Sequence, residues 1–284
     1  MLTAGAEYRN EKGRNKGNFD DSVNNRALYL NNKLKLFKDS LILNTGLRYD
    51  NHETAGSKTT YRVGALYDIK PVDLKIKGSY GTGFRAPSLN DLFYPFYGNL
   101  TLKPEETTAW DIGLEKGIMK DRATLSLTYF EQRYKNLIQT DPMTWLAANI
   151  ARAEVKGIEA DAVLKLTSNV NVKAGYTYLD AKDKDTNQRL TRRPQDKFGF
   201  GADYLGKDMS LGASYTFVSE RYDSSVRRDL TSYHLVNMSG SYKLTKWPSI
   251  FGRVENLFDA NYEEAGSYKT PGFSIYGGIR IATL

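Results

Sequence analysis

Residues 41–50 alternate strictly. Leu41, Leu43, Thr45, Leu47 and Tyr49 occupy one parity, and Ile42, Asn44, Gly46, Arg48 and Asp50 the other. A β-strand sends successive side chains to opposite faces, so such a segment has one apolar and one polar side. The same pattern returns in residues 74–84, where Leu74, Ile76, Gly78, Tyr80 and Phe84 oppose Lys75, Lys77 and Ser79. It returns again in 170–178 (Val170, Val172, Ala174, Tyr176, Tyr178) and in 209–217 (Met209, Leu211, Ala213, Tyr215, Phe217). Roughly fourteen such segments of about ten residues are present, the length of a tilted membrane strand.

The segments start near Leu2, Arg26, Leu41, Thr59, Leu74, Thr107, Arg122, Asn149, Val170, Lys197, Met209, Tyr233, Ser249 and Gly272. Their connections alternate between short and long. Short ones fall at 37–40, 70–73, 117–121, 167–169, 205–208 and 245–248. Long ones fall at 10–24, 51–58, 85–106, 136–148, 181–194, 220–231 and 259–271. Short turns at one end and long loops at the other are the asymmetry of an outer-membrane barrel. Tyr49, Tyr80, Phe84, Tyr129, Tyr178 and Phe217 stand where strands reach long loops, and Tyr67, Tyr204 and Tyr242 where they reach short turns. That places one aromatic girdle at each interface. The opposite parity carries Arg62, Asp68, Lys75, Lys77, Asp111, Glu115, Glu159, Asp161, Arg253 and Glu255. A charge on the lipid side costs about 2–4 kcal/mol at midplane, so these residues imply a polar interior. The expected fold is all-β, an antiparallel transmembrane β-barrel of about 14 strands, too wide for side chains to fill. A soluble β-sandwich also alternates, but its loops need not sort by length.

Composition narrows function by exclusion. No apolar run approaches the roughly 20 residues of a spanning helix. The chain has no Cys, which removes disulfides, zinc-thiolate sites and cysteine catalysis. Its 40 basic residues are interleaved with 33 acidic ones, without the basic stripe of a nucleic-acid binder. His52 and His234 lack paired ligand spacing, and the run from Asp180 through Asp183 to Asp185 is broken by Lys182 and Lys184, so no metal is expected. No nucleophile elbow is present, and neither catalysis nor a cofactor is expected. The opening residues have neither a basic n-region nor an apolar h-region.

From Gly81 to Glu105 the chain reads GTGFRAPSLNDLFYPFYGNLTLKPE. This resembles the barrel segment of TonB-dependent outer-membrane receptors, in which GFRAPSLNDLF is followed by GNPNLKPE. LSLTYFEQRYKNLI from Leu125, ARAEVKGIEAD from Ala151 and RVENLFDANYEEAGSYKTPGFSIYGGIRI from Arg253 resemble the strands that follow, in family order. The cobalamin receptors are the nearest group by this reading, with siderophore receptors second. The resemblance implies a barrel of about 22 strands, a plug inside it and a box that contacts TonB. The chain is therefore expected to be the C-terminal portion of such a receptor in the bacterial outer membrane, with contact to TonB only through an N-terminal plug and box that these residues do not include. Family barrels usually end on an aromatic residue, and this chain ends on Leu284. The alternative is a passive pore of about fourteen strands.

Candidate ligand residues lie on the long loops. Phe93, Tyr94, Phe96 and Tyr97 pack either on a large, partly apolar nutrient, cobalamin or a ferric siderophore, or on their own loop. Arg193, next to Arg192, and Arg221 sit on consecutive long loops, where they converge on an anionic or amide-rich ligand or form a rim charge for lipopolysaccharide. Outer-membrane lipid and lipopolysaccharide are the expected surroundings.

Overall fold

A computed structural model describes residues 1–120, 122–141, 143–245 and 247–281. Leu284, and Asp121 in one of the expected short turns, lie outside the described residues. In chain order the strands are β1 (Leu2–Asn15), β2 (Phe19–Leu36), β3 (Leu41–His52), β4 (Gly56–Ile69), β5 (Leu74–Arg85), β6 (Glu105–Ile118), β7 (Ala123–Thr140), β8 (Ala147–Lys165) and β9 (Val170–Asp183). They continue with β10 (Asp196–Leu205), β11 (Met209–Val218), β12 (Arg221–Asp223), β13 (Arg228–Leu230), β14 (Tyr233–Lys243), β15 (Pro248–Glu255), β16 (Glu263–Ala265), β17 (Tyr268–Lys269) and β18 (Ser274–Ile281). One helix, α1 (Leu89–Phe93), interrupts them, with a 3-10 turn at Lys70–Val72. No helix among the described residues is long and apolar enough to cross a membrane.

Fourteen strands form one sheet in the order β1 through β11, then β14, β15 and β18, while β12–β13 and β16–β17 are separate two-stranded ladders. Within this sheet each strand lies beside the next one in chain order, with the two small ladders set in the loops, as hairpin-linked antiparallel strands require. By their internal contacts the residues divide into two units, Met1–Gly113 with Phe130–Lys156 and Lys182–Gln188, and Leu114–Tyr129 with Gly157–Ala181 and Arg189–Leu284.

In the first unit the register carries each parity across the sheet. Ala4 faces Leu30, Leu30 faces Leu47, and Leu47 faces Tyr61. The adjacent row, Gly5, Tyr29, Arg48 and Thr60, lies on the other face. There Gly5 leaves room for the Tyr29 ring, since an added Cβ would lie 2.3 Å from the Tyr29 hydroxyl. Arg48 Nε donates to Asp50 at 2.8 Å, and Arg48 Nη1 reaches Glu7 at 3.3 Å. Ser79 donates to Asp111 on the same face. A one-residue slip would carry all these charges into the apolar face, so the register is firmly specified.

The second unit repeats the arrangement. Val172, Ala202, Ala213, Met238, Val254 and Ile275 form one cross-strand row. Asn171, Asp203, Gly212, Ser239, Arg253 and Tyr276 form the next, on the polar face. Lys173 pairs with Asp203 at 3.5 Å, and the Arg253 guanidinium lies 4.4 Å from the centre of the Tyr276 ring. His234 sits on the apolar face between two rings, bonded to the Tyr215 hydroxyl at 2.7 Å and 4.9 Å from Phe217 centre to centre.

Leu2, Leu28, Leu47, Ile112, Leu127, Leu211 and Ile279 all stand exposed on the apolar face. Each large aliphatic side chain left in water forgoes about 1.5–3 kcal/mol of burial, so a face of this kind calls for an apolar medium.

Two of the long connections expected from alternation are strands instead. β1 and β2 stay paired out to Asn15 and Phe19, where Gly17 turns at φ +84° and Asn18 Nδ2 donates to Asn15. β3 and β4 stay paired to His52 and Gly56, with the His52 ring nitrogen accepting from the Thr54 and Ala55 amides. Apart from Phe19 and buried Val23 these ends are polar on both faces, so no sustained period-two signal marks the strand although the backbone ladder continues. The connections 220–231 and 259–271 likewise contain the small ladders β12–β13 and β16–β17.

Candidate functional site

The β5–β6 connection carries four of the candidate residues. Ser88 caps α1 by accepting from the Asp91 amide at 3.2 Å, while Asp91 accepts from the Ser88 amide at 2.9 Å, a reciprocal box that fixes the first turn. Asn90 and Tyr94 accept the next turns, and Gly98 lies so close to the Leu92 carbonyl that an added Cβ would sit 2.6 Å from its oxygen. Arg85 and Glu105 close the base of the loop through two hydrogen bonds at 2.7 and 2.6 Å, and Glu105 also accepts the Ile138 amide at 2.8 Å. The Arg and Glu at the two ends of the GFRAPS…KPE segment are thus its clasp.

This scaffold separates the four aromatics. Phe93 turns inward against Phe19, with ring centres 6.4 Å apart. Tyr97 is partly covered and its hydroxyl donates to Asp91 at 3.4 Å. Tyr94 is exposed, and Phe96 is 96% exposed at φ +60°, a backbone region that bulky residues rarely enter. The β7–β8 connection is stitched alongside: the Ala147 amide donates to the Tyr97 carbonyl at 2.7 Å, and Asn99 Nδ2 donates to the Ala147 carbonyl at 2.9 Å. Asn149 adds three more bonds, two with Lys103 and one to the Asn136 carbonyl. At the tip of that connection Trp145 is 71% exposed at φ +62°, beside exposed Met143. Asp141 shapes this tip by accepting from the Met143 and Thr144 amides, which hold its carboxyl below the usual range. Nothing in the sequence patterning singled out Met143 or Trp145, because a lone aromatic in a polar loop carries no periodicity.

In the second unit three connections meet around one carboxylate. Asp223 is wholly buried, and its oxygens accept from Arg192 Nε at 2.8 Å, the Gly266 amide at 2.7 Å, and the amide and hydroxyl of Ser225 at 2.9 and 2.7 Å. Burial pushes the Asp223 carboxyl up. The Arg192 guanidinium and the Gly266 and Ser225 donors outweigh it and hold the group well below the usual carboxylate range. The Arg192 amide also donates to the Tyr222 carbonyl at 2.7 Å, and the Ser224 amide to the Thr191 hydroxyl at 3.0 Å. Gly266 has no room for a Cβ beside Val226.

The two candidate arginines differ in setting. Arg193 is exposed, its guanidinium touching the Arg192 carbonyl at 3.4 Å. Arg221 is 4% exposed, donates to the Glu263 carbonyl and lies 5.2 Å from the centre of the Tyr233 ring, with Nη1 buried and unbonded. Tyr233 in turn packs on Tyr262, ring centres 4.3 Å apart and planes tilted by 32°. It is Arg192, not Arg193, that joins the β9–β10 connection to its neighbour. Asn256 fastens the last connection, exchanging two bonds with Ala260 at 2.7 and 2.9 Å and donating to the Pro271 carbonyl at 3.3 Å. On the polar face below lies a cavity of about 380 Å³ lined by Lys173, Asp203, Asn237, Arg253, Glu255 and Tyr262, among others.

Residues 2–257 match the family described as TonB dependent receptor-like, beta-barrel. The vitamin B12 transporter BtuB of Photobacterium profundum is 30% identical over 97% of this chain and 46% of its own length. BtuB of Vibrio vulnificus is 28% identical over 94% of this chain and 44% of its own. Among solved structures, the ferric enterobactin receptor PfeA of Pseudomonas aeruginosa superposes with a TM-score of 0.82 at 23% identity, over 99% of this chain and 50% of that one. The siderophore receptor PirA of Acinetobacter baumannii gives 0.81 at 20% identity, over 99% of this chain and 52% of that one. The chain spans about half the length of the relatives it matches.

Proposed function

The chain belongs to the TonB-dependent receptor-like β-barrel family, and on that footing we propose that it supplies barrel wall and extracellular loops to an outer-membrane receptor for a large, scarce nutrient. The observation that carries the reading is the register. Across the strands of each unit, exposed Leu, Ile and aromatic residues share one face while Arg, Lys, Asp and Glu share the other. The first face meets acyl chains and the second a wet interior. Transport rather than catalysis follows from the family.

Cobalamin is the first ligand in this reading and a ferric siderophore the second, because the sequence relatives are vitamin B12 transporters and the siderophore receptors share the fold. Phe96 and Tyr94 contact the ligand, Phe93 and Tyr97 set the loop that presents them, Arg193 offers an exposed cation, and Arg221 acts from beneath by holding its own loop. Coupling to TonB runs through a plug and box supplied in the N-terminal part of a complete receptor. A passive pore finds no support among these relatives. Quenching of tryptophan fluorescence by cyanocobalamin and by ferric enterobactin, measured on the chain in detergent micelles, tests the choice. Saturable quenching by cyanocobalamin alone supports the order given, quenching by ferric enterobactin alone reverses it, and quenching by neither removes the loops as a ligand site.

A further inference from the structure

One arginine on the polar face of the first unit has no acid beside it. Arg62 of β4 stands opposite Gly46 of β3 on one side and Gly81 of β5 on the other. A cross-strand row packs side chain against side chain, so two glycines leave this one open on both flanks. Arg62 Nη2 donates to the Ser79 hydroxyl at 3.3 Å, and Ser79 donates in turn to Asp111. The hydroxyl thus stands between cation and carboxylate, and no acidic side chain among the described residues pairs with Arg62. Arg48 on β3 is the contrast, held by Asp50 at 2.8 Å and Glu7 at 3.3 Å.

Asn31 of β2 extends the row. It lies opposite Gly46, and its amide leans over that glycine, where an added Cβ would come 2.7 Å from Oδ1. Guanidinium and amide therefore stand on either side of a bare backbone. Two recesses of the polar face meet at Arg62. One of about 420 Å³ runs toward the long loops past Tyr29, Arg48 and Thr60. The other, of about 400 Å³, runs toward the short turns past Gly64, Leu66 and Lys77.

We propose that Arg62 and Asn31 form a station for an oxyanion, the phosphate diester or carboxylate group of a nutrient passing along this wall. The inference rests on the membrane reading above, since it needs this face to be the wet interior. A guanidinium whose fork is not filled by protein binds two oxygens of such a group, and the Asn31 amide donates to one of them. The glycines on both flanks let a bulky carrier of the anion come up to the wall. Arg62 is exposed and already hydrated, so the anion is held weakly enough to leave, and Lys77 further along the second recess offers the next charge.

Phenylglyoxal modifies accessible guanidinium groups, and peptide mapping of the full chain in nanodiscs measures the rate at each arginine. Dimethyl phosphate or acetate, compared with chloride at constant ionic strength, is expected to slow modification of Arg62 by about fivefold and to leave Arg48 unchanged. N31A should reduce that protection to about twofold, and N31D, which sets a carboxylate beside the cation, should abolish it. Protection by the diester alone assigns the station to phosphate-bearing nutrients, and protection by acetate alone to carboxylate-bearing ones. Equal rates at Arg62 with and without both anions overturn the proposal. The membrane reading is checked separately by T60C, a unique thiol in a chain without Cys. Labelling of T60C by a charged, water-soluble thiol reagent keeps that reading whatever the anions do, and failure to label overturns both.

Discussion

Arg192 and Asp223 belong to different connections, yet the Arg192 guanidinium holds the buried Asp223 carboxylate from the rim with Nε 2.8 Å from Oδ2. The same oxygen accepts the Gly266 amide from a third connection. Arg192 itself adopts φ +56°, so the backbone is turned to deliver the side chain.

Removing the cation leaves a buried charge with amide and hydroxyl donors only. R192Q should destabilise the loop assembly by about 1.5–3 kcal/mol, the scale of a hydrogen bond to a charged group. Faster amide exchange at Ser225 and Gly266, with unchanged exchange along β14 and β15, is the expected pattern. Uniform loosening of the whole sheet would count against a local role.

Acidity should act through the same group. The Asp223 carboxyl is depressed in the folded chain, so its stabilising contribution is complete above the ordinary carboxylate value and is lost as pH falls through the folded value. Exchange protection at Gly266 is therefore expected to hold through mild acid and to fail only in strong acid. D223N should remove that pH dependence and show weak protection at every pH.

The clasp under the β5–β6 connection makes a separate case. E105Q keeps the shape of the side chain but weakens the bidentate contact with Arg85 and the bond from the Ile138 amide. Proteolysis within residues 86–104 should become faster, with a stability loss of about 1–3 kcal/mol. An unchanged cleavage pattern would show that α1 alone orders the loop.

Phe96 and Trp145 point into solvent, so their removal costs the fold little. F96A and W145A are each expected to leave thermal unfolding in detergent unchanged and to weaken cobalamin binding by about 1 kcal/mol or more, roughly fivefold. Fluorescence titration of the two variants and the double variant measures this, with W145A followed on the remaining tryptophans. Full affinity in the double variant would remove the tips from the site.

Opposite faces of one strand should respond oppositely to charge. L127R places a cation on the apolar face and should cost about 2–4 kcal/mol in a bilayer, while S126R on the polar face should be tolerated. Urea unfolding from liposomes compares them, and equal costs would contradict the assignment of faces.

Much of this architecture was legible in the chain. Wherever one side of a strand is apolar and the other is not, as from Leu41 to Tyr49 or Met209 to Phe217, the period appears and marks the strand to within a few residues. It faded where both sides turn polar, so the paired ends at Lys12 and Ser22 read as loop. The β12–β13 and β16–β17 ladders are too short to show a period. The contrast between buried Arg221 and exposed Arg193 was invisible because both are arginines in polar loops. Asp223 is illegible for the same reason: Ser225 is a near neighbour, but Arg192 and Gly266 lie 31 and 43 positions away, and no local pattern encodes them.

The union of three connections on one carboxylate also constrains how such a surface is re-engineered. Residues 189–195, 219–232 and 256–273 can vary at their tips, but whoever transplants one of them to another receptor must bring a matching donor or acceptor for position 223. The natural unit of exchange between receptors is therefore the trio, with its hub, and not the single loop.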